Sequence, residues 1–264
     1  MTRLFLRMGA ALGVLAWLIG IRRAVALEGL ARAFPERSEN DRRRLARAAY
    51  AQLGRSLAEI LVGAPEMHFE DWDLYEKAHA QGHGLVCAIA HFGNFELLAR
   101  AASQRGRPVT LIGRRLSGAF NRWLVESRGI RTLPDRGSSA AALAVLRRGE
   151  SLAIAVDQNM RPSRGVFVEF FGAQASTTPA AAVYALRAGA PLIAAFSVRQ
   201  PDGSHVVSLR GPFTTTLHGH KAVVDLTQQV TRAVEQAVRE HPDHWFWVHR
   251  RWKTRPSLVS PSGV

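Results

Sequence analysis

Two kinds of apolar pattern alternate along the chain. From 41 to 62, apolar side chains recur at helical spacing (Leu45, Ala49, Leu53, Leu57, Ile60, Leu61) with arginines on the other face, which predicts an amphipathic helix ended at Ala64-Pro65. Beyond it the period changes. Continuous apolar runs at 85–90, 109–112, 130–133, 152–156 and 192–198 are short enough for buried strands, and 166–171 and 206–209 are further candidates. Helical patterns separate them at 95–103, 120–127, 140–147 and 179–187, and a long one closes the series at 220–239. This cadence predicts an α/β fold, a sheet with helices on its faces and several strands parallel. Function in such sheets tends to lie beyond the strand ends.

The N-terminus reads differently. Fourteen apolar residues at 8–21 lie between Arg3 and Arg7 on one side and Arg22 and Arg23 on the other. A simple crossing of a bilayer takes roughly 17–25 such residues. Three readings compete. A cleaved signal peptide has a charged start and a core of this size, but Gly20-Ile21-Arg22-Arg23 is a poor cleavage site. A buried helix of a soluble domain is the plainest. A membrane anchor, tilted or lying in the interface with its arginines at the head groups, is preferred. The expected division is an anchor at 1–23, one domain at 24–256 and a loose tail at 257–264.

Charge supports the lipid reading. The 264 residues carry a net charge of +14, and residues 1–55 hold eleven arginines against four acids, half of that excess. The densest charge therefore flanks the apolar run, and no helix-turn-helix, RNP-like or zinc-finger spacing points to nucleic acid. A membrane surface is the expected partner; nucleic acid is not. The one cysteine, Cys87, excludes a disulfide framework and any multi-cysteine metal site. It falls mid-strand, where burial makes a thiol inert, and no G-x-S-x-G elbow is present. His218 and His220, or His241 and His244, have no acid or cysteine set to complete a metal site, so no metal or other cofactor is expected.

The candidate chemistry follows the first apolar strand, at Ala90-His91-Phe92-Gly93-Asn94-Phe95-Glu96. Residues five apart on one continuous helix sit about 140° apart and do not meet. With His91 in the loop and Glu96 in the first helical turn, the carboxylate can point back at the imidazole, and Gly93 permits the tight turn between them. A carboxylate that fixes the tautomer of a histidine makes it a general base.

This segment resembles the HX4(D/E) signature of the glycerolipid and lysophospholipid acyltransferase superfamily. It is most similar to the bacterial branch that holds the lipid A late acyltransferases and the mycobacterial mannoside acyltransferases. Further blocks follow in order: Ile112-Gly113-Arg114-Arg115 with Asn121-Arg122-Trp123-Leu124, Val156-Asp157-Gln158-Asn159, and the stretch from Gly165 to Gly172 with Thr177-Thr178-Pro179. Ala188-Gly189-Ala190-Pro191-Leu192-Ile193 and the closing Trp245-x-Trp247-x-His249-Arg250-Arg251-x-Lys253 complete the set.

The resemblance implies a central mixed, largely parallel sheet flanked by helices. It implies acyl transfer, without an acyl-enzyme, from an acyl carrier protein or coenzyme A thioester to a hydroxyl of a lipid A precursor or related glycolipid. The place of action would be the cytoplasmic face of the inner membrane. His91 and Glu96 are then the catalytic pair, and Arg114, Asp157, Asn94 and Arg164 the substrate-binding candidates. Arg114 suits a phosphate, and Asp157 a substrate group or Arg114 itself. The rival readings are a lysophospholipid or ornithine-lipid acyltransferase, and a membrane lipid-binding protein that has the fold without the activity.

Overall fold

The computed structural model describes residues 2–63, 65–113 and 130–256. The predicted helix at 120–127 and the tail at 257–264 lie outside these residues.

The N-terminal apolar run forms α1 (Thr2–Leu18), followed after a sharp bend by α2 (Arg23–Ala33). α1 lies against α3 (Glu39–Val62) through a contact that only glycine permits. A Cβ on Gly54 would come within 2.0 Å of the Gly9 carbonyl oxygen, and one on Gly13 within 2.0 Å of the Tyr50 carbonyl oxygen. The bend is pinned by the Tyr50 hydroxyl, which donates to Ile21 O at 2.5 Å, and by Arg22 Nε, which donates to Val248 O at 2.6 Å. Among the described residues no single helix is long and apolar enough to cross a membrane. α1 and α2 meet the length and composition only as a pair bent by 91°. One face of α1 is docked, and Leu4, Phe5, Met8, Leu12, Leu15 and Leu18 on its other side are exposed.

α3 starts where Ser38 Oγ accepts the Asp41 N–H at 3.1 Å, with Glu39 and Asp41 in the first turn, and ends at Gly63 (φ 114°). The body follows as β1 (Met67–Phe69), α4 (Trp72–His79), β2 (Leu85–Ile89), α5 (Phe95–Gln104), β3 (Val109–Gly113), β4 (Arg131–Pro134), α6 (Ser139–Arg147) and β5 (Ser151–Ala155). Then come a 3₁₀ turn (Pro162–Arg164), the hairpin β6 (Val166–Phe170) and β7 (Ala173–Thr177), α7 (Ala180–Ala188), β8 (Leu192–Arg199), β9 (His205–Phe213) and α8 (Gly219–Glu240). β1, β7, α2 and α4 carry no apolar pattern long enough to predict them.

Seven strands form one mixed sheet in the order β1-β9-β8-β2-β5-β3-β4. β8, β2, β5, β3 and β4 run parallel, and β9 with β1 runs the opposite way. Both faces are covered, as a sheet of this kind requires. Val86, Ala88, Leu152 and Ile154 face one layer with α6, α7 and α8, and Leu85, Ile89, Ala153 and Ile193 face the other with α4 and α5. β2 sits between β5 and β8, so the loop after it emerges at the centre of the carboxyl edge.

Candidate active site

The parallel register places the two groups that matter. Ile89 of β2 pairs with Ala155 of β5, and each chain runs two residues further, to His91 and Asp157. Strands of one sheet lie about 4.8 Å apart, so side chains at equal distance past the edge can meet. His91 Nδ1 is 2.7 Å from Asp157 Oδ1, and the His91 backbone N–H donates to Oδ2 at 2.9 Å. The Trp245 indole Nε1–H donates to the same Oδ2 at 2.8 Å.

Asp157 is buried. Burial alone would push its carboxyl up, but the charge of His91 and the hydrogen bonds from His91 and Trp245 hold it down at about 2. An ionised acceptor at Nδ1 fixes the tautomer with the proton on Nδ1 and the lone pair on Nε2. The ring, 19% exposed at its side chain, is steadied between Phe95 (centroids 4.6 Å) and Phe246 (5.9 Å). The Gln158 amide nitrogen stands 3.0 Å from Nε2 and donates to that lone pair.

The loop itself is clamped by the C-terminal segment. Gly93 N–H donates to His244 O at 2.8 Å, Phe246 N–H donates to His91 O at 3.0 Å, and Phe92 bridges Trp245. Gly93 has φ 59°, and a Cβ there would lie 1.7 Å from Ser197 O. Only glycine fits.

Beneath the loop is a buried charged network. Glu59 of α3 pairs with Arg199 of β8, with Arg199 Nη2 to Oε2 at 2.7 Å, and receives the Asn94 amide at 2.7 Å. His205 Nε2 lies 3.2 Å from Glu59 Oε1, and its Nδ1 lies 2.7 Å from Ser197 Oγ. Burial, then the charges of Arg199 and His244, push the His205 imidazole down to about 3, so it is neutral. Asn94 is fully buried, and its amide nitrogen donates to Glu59 and to Ser56 O. It faces the interior, where a substrate contact was expected, and ties the loop to α3.

Glu96 is half-buried in the first turn of α5. The carboxylate on His91 Nδ1 is that of Asp157. Arg164 is exposed in the 3₁₀ turn. Arg114 lies outside the described residues. Burial pushes the Cys87 thiol up to about 12 and leaves it unreactive.

A cleft opens beside His91 between α3 and the C-terminal segment. Leu53, Phe95, Phe246 and Val248 give it apolar walls, and His91 is part of its lining. The arrangement offers a directed base in the wall of a largely apolar cleft. Trp245 and Gln158 both touch this centre, and both lie in blocks quoted above, where nothing in the sequence marked them as partners of His91.

The sequence model of the family described as bacterial lipid A biosynthesis acyltransferase matches residues 2–254. The lipid A biosynthesis lauroyltransferase of Escherichia coli K12 is 28% identical over 96% of this chain and 86% of its own length. The lipid A biosynthesis acyltransferase of Haemophilus influenzae is 27% identical, over 92% and 82% respectively. The E. coli lipid A biosynthesis palmitoleoyltransferase is 24% identical, over 89% and 80%.

Proposed function

Because the chain belongs to the bacterial lipid A biosynthesis acyltransferases and is an acyltransferase, we propose that it moves a fatty acyl chain from an acyl carrier protein or coenzyme A thioester to a hydroxyl of a lipid A precursor or related glycolipid. The observation that carries this reading is the His91–Asp157 pair, whose His91 lines the apolar cleft.

The chemistry runs through His91 Nε2. The acceptor hydroxyl takes the place of the Gln158 amide and gives its proton to Nε2 while its oxygen attacks the thioester carbonyl. Asp157 stabilises the imidazolium that forms. The tetrahedral adduct then expels the thiolate, which takes the proton back from His91, and the new ester bond replaces the carbon–sulfur bond. General-base help of this kind supplies ~10²–10⁴-fold, and positioning of the two substrates adds to it. Glu96 is kept as a carboxylate that positions His91, and Arg114 and Arg164 as candidates for holding substrate groups.

The acyl chain would lie in the slot between α3 and the C-terminal segment. Lipid would reach it along the face of α1, whose exposed Leu12, Leu15 and Leu18 suit the acyl boundary of a bilayer, with Arg3, Arg7 and Arg22 at head-group level. Each basic residue near an anionic surface adds about 1 kcal/mol. Carrier thioesters are cytosolic, which sets the reaction on the cytoplasmic face of the inner membrane.

The test is transfer of radiolabelled acyl groups from acyl carrier protein or coenzyme A to a lipid A precursor by wild-type and His91→Ala protein. Turnover in the wild type alone is expected. Equal activity in both, or transfer to neither glycolipid nor lysolipid, defeats the reading.

A further inference from the structure

One cluster of charge has no part in this chemistry. α2 and the turn at 249–255 face each other across a second cleft, lined by Arg32, Arg250, Lys253, Arg255 and Trp252. Among the described residues, none of these four cations is ion-paired with a carboxylate. Glu28 also lines the cleft and pairs with none of them. Like charges gathered around a concave wall repel each other and raise a positive potential inside it, which an anion relieves.

The turn that carries Arg250, Lys253 and Arg255 is held in place. Between Arg250 and Lys253, the buried Arg251 donates from Nη1 to Ser176 O at 2.9 Å and from Nη2 to Thr177 Oγ1. Trp252 Nε1–H donates to Phe170 O at 3.2 Å. Thr254 N–H donates to Asn159 Oδ1 at 3.0 Å, and Asn159 Nδ2 donates to Thr254 Oγ1 at 3.0 Å. The Arg32 guanidinium lies over the Trp252 ring, 5.4 Å from its centroid. The turn is thus a built surface that presents Arg250, Lys253 and Arg255 opposite Arg32.

The cleft also adjoins the catalytic centre. His249 forms part of its wall and accepts the Asn159 N–H at 2.8 Å, one residue past Gln158. Its titration feels both Asp157 and His91. On the other side, α2 follows directly on Leu18, Ile19 and Ile21, the exposed end of the lipid-facing surface. An anion here would sit at head-group depth beside the reacting hydroxyl.

We propose that the cleft between α2 and the 249–255 turn binds a phosphate carried by the head group of the acceptor lipid and so sets the position of the acceptor at His91. This rests on the acyl-transfer reading. The acceptor is favoured over the donor because α2, one wall of the cleft, follows directly on α1, whose exposed face is assigned to lipid.

The experiment compares a phosphorylated acceptor with the same acceptor after phosphatase treatment, using wild type, Arg250→Gln, Lys253→Gln and, as a charge-matched control away from the cleft, Lys77→Gln. A charge-assisted hydrogen bond lost from a bound phosphate costs about tenfold to a hundredfold in affinity. KM for the phosphorylated acceptor should rise by that factor in the two cleft variants and not in the control, while KM for the thioester stays put. Equal losses with both acceptors overturn the proposal, and so does a rise confined to the thioester, which would give the cleft to the donor's phosphopantetheine arm. A second arm titrates inorganic pyrophosphate into His91→Ala protein with and without Lys253→Gln. Saturable binding weakened by the second substitution is expected, and no saturable binding at millimolar concentration counts against the cleft. That arm needs no turnover, so it judges the cleft even if the acyl-transfer reading fails.

Discussion

Trp245 and His91 share one oxygen: the indole N–H of the first and the backbone N–H of the second both donate to Asp157 Oδ2, at 2.8 and 2.9 Å. The other oxygen is thereby left to the His91 ring. A carboxylate with both oxygens assigned cannot rotate, and the imidazole it holds keeps one tautomer and one direction. The base is aimed before any substrate arrives, and the aiming residue comes from β5, the strand beside β2.

Asp157 is therefore expected to matter more than Glu96. Asp157→Asn keeps the shape but offers an amide that cannot stabilise the imidazolium, and a loss of about 10³–10⁴ in kcat is expected by analogy with other carboxylate–histidine pairs. Glu96→Gln should cost less. Steady-state acyl transfer by the two variants ranks them, and the reverse order would return the orienting role to Glu96.

Gln158 stands where the acceptor oxygen must come, 3.0 Å from Nε2. Gln158→Glu puts an acceptor-only group against that nitrogen. The ring would then carry a proton on both sides, clamped between two carboxylates, with no lone pair to offer. A fall in kcat of about a hundredfold or more is expected, with Gln158→Ala losing less than about tenfold. Wild-type turnover in Gln158→Glu would show that the amide does not border the reacting hydroxyl.

The strands of the sheet's centre were readable because each is an apolar run bounded by turn residues, and 85–90, 109–112 and 152–156 correspond to β2, β3 and β5. β1, three residues long, and β7, with Gln174 and Ser176 in its middle, have no such run. The site was half readable. His91 at a strand end followed by Gly93 is a local signal. Its partner Asp157 lies 66 residues on, and only the register of β2 with β5 joins them, a relation that spacing along one chain does not encode. Asn94 stands inside the motif, and its contact with Glu59 depends on α3, which the motif does not contain.

The pH dependence of stability follows from the buried histidines. His205 is held neutral down to about 3 and His249 to about 4, burial being the chief cause for both, against an unfolded value near 6.5. Below 6.5 the unfolded chain takes up protons that the folded chain refuses. Stability is therefore complete above that pH and falls as pH drops towards 4, by about 1.4 kcal/mol per pH unit for each histidine. Melting temperatures between pH 7.5 and pH 4.5 should decline, and His205→Gln should flatten the slope. A melting temperature independent of pH over that range would mean that these rings are already charged in the folded protein.

The two faces of α1 make opposite demands on substitution. Its inner face meets α3 at Gly9, Gly13 and Gly54 with no room for a Cβ, so Gly13→Leu is expected to unfold the N-terminal layer, and deletion of residues 1–23 to expose it and provoke aggregation. The outer face is largely exposed among the described residues: Leu12 is 65% and Leu15 50% exposed. If that face rests in the acyl boundary, each leucine there buries apolar surface against lipid for about 1.5–3 kcal/mol. Leu12→Glu with Leu15→Glu should weaken partition onto vesicles containing anionic phospholipid by about a hundredfold or more, with the melting temperature in detergent within a few degrees of wild type. Vesicle flotation reads the first and a thermal scan the second. A double variant that floats as well as wild type would place the lipid surface elsewhere on the molecule, and one that no longer melts cooperatively would show that the outer face packs against protein.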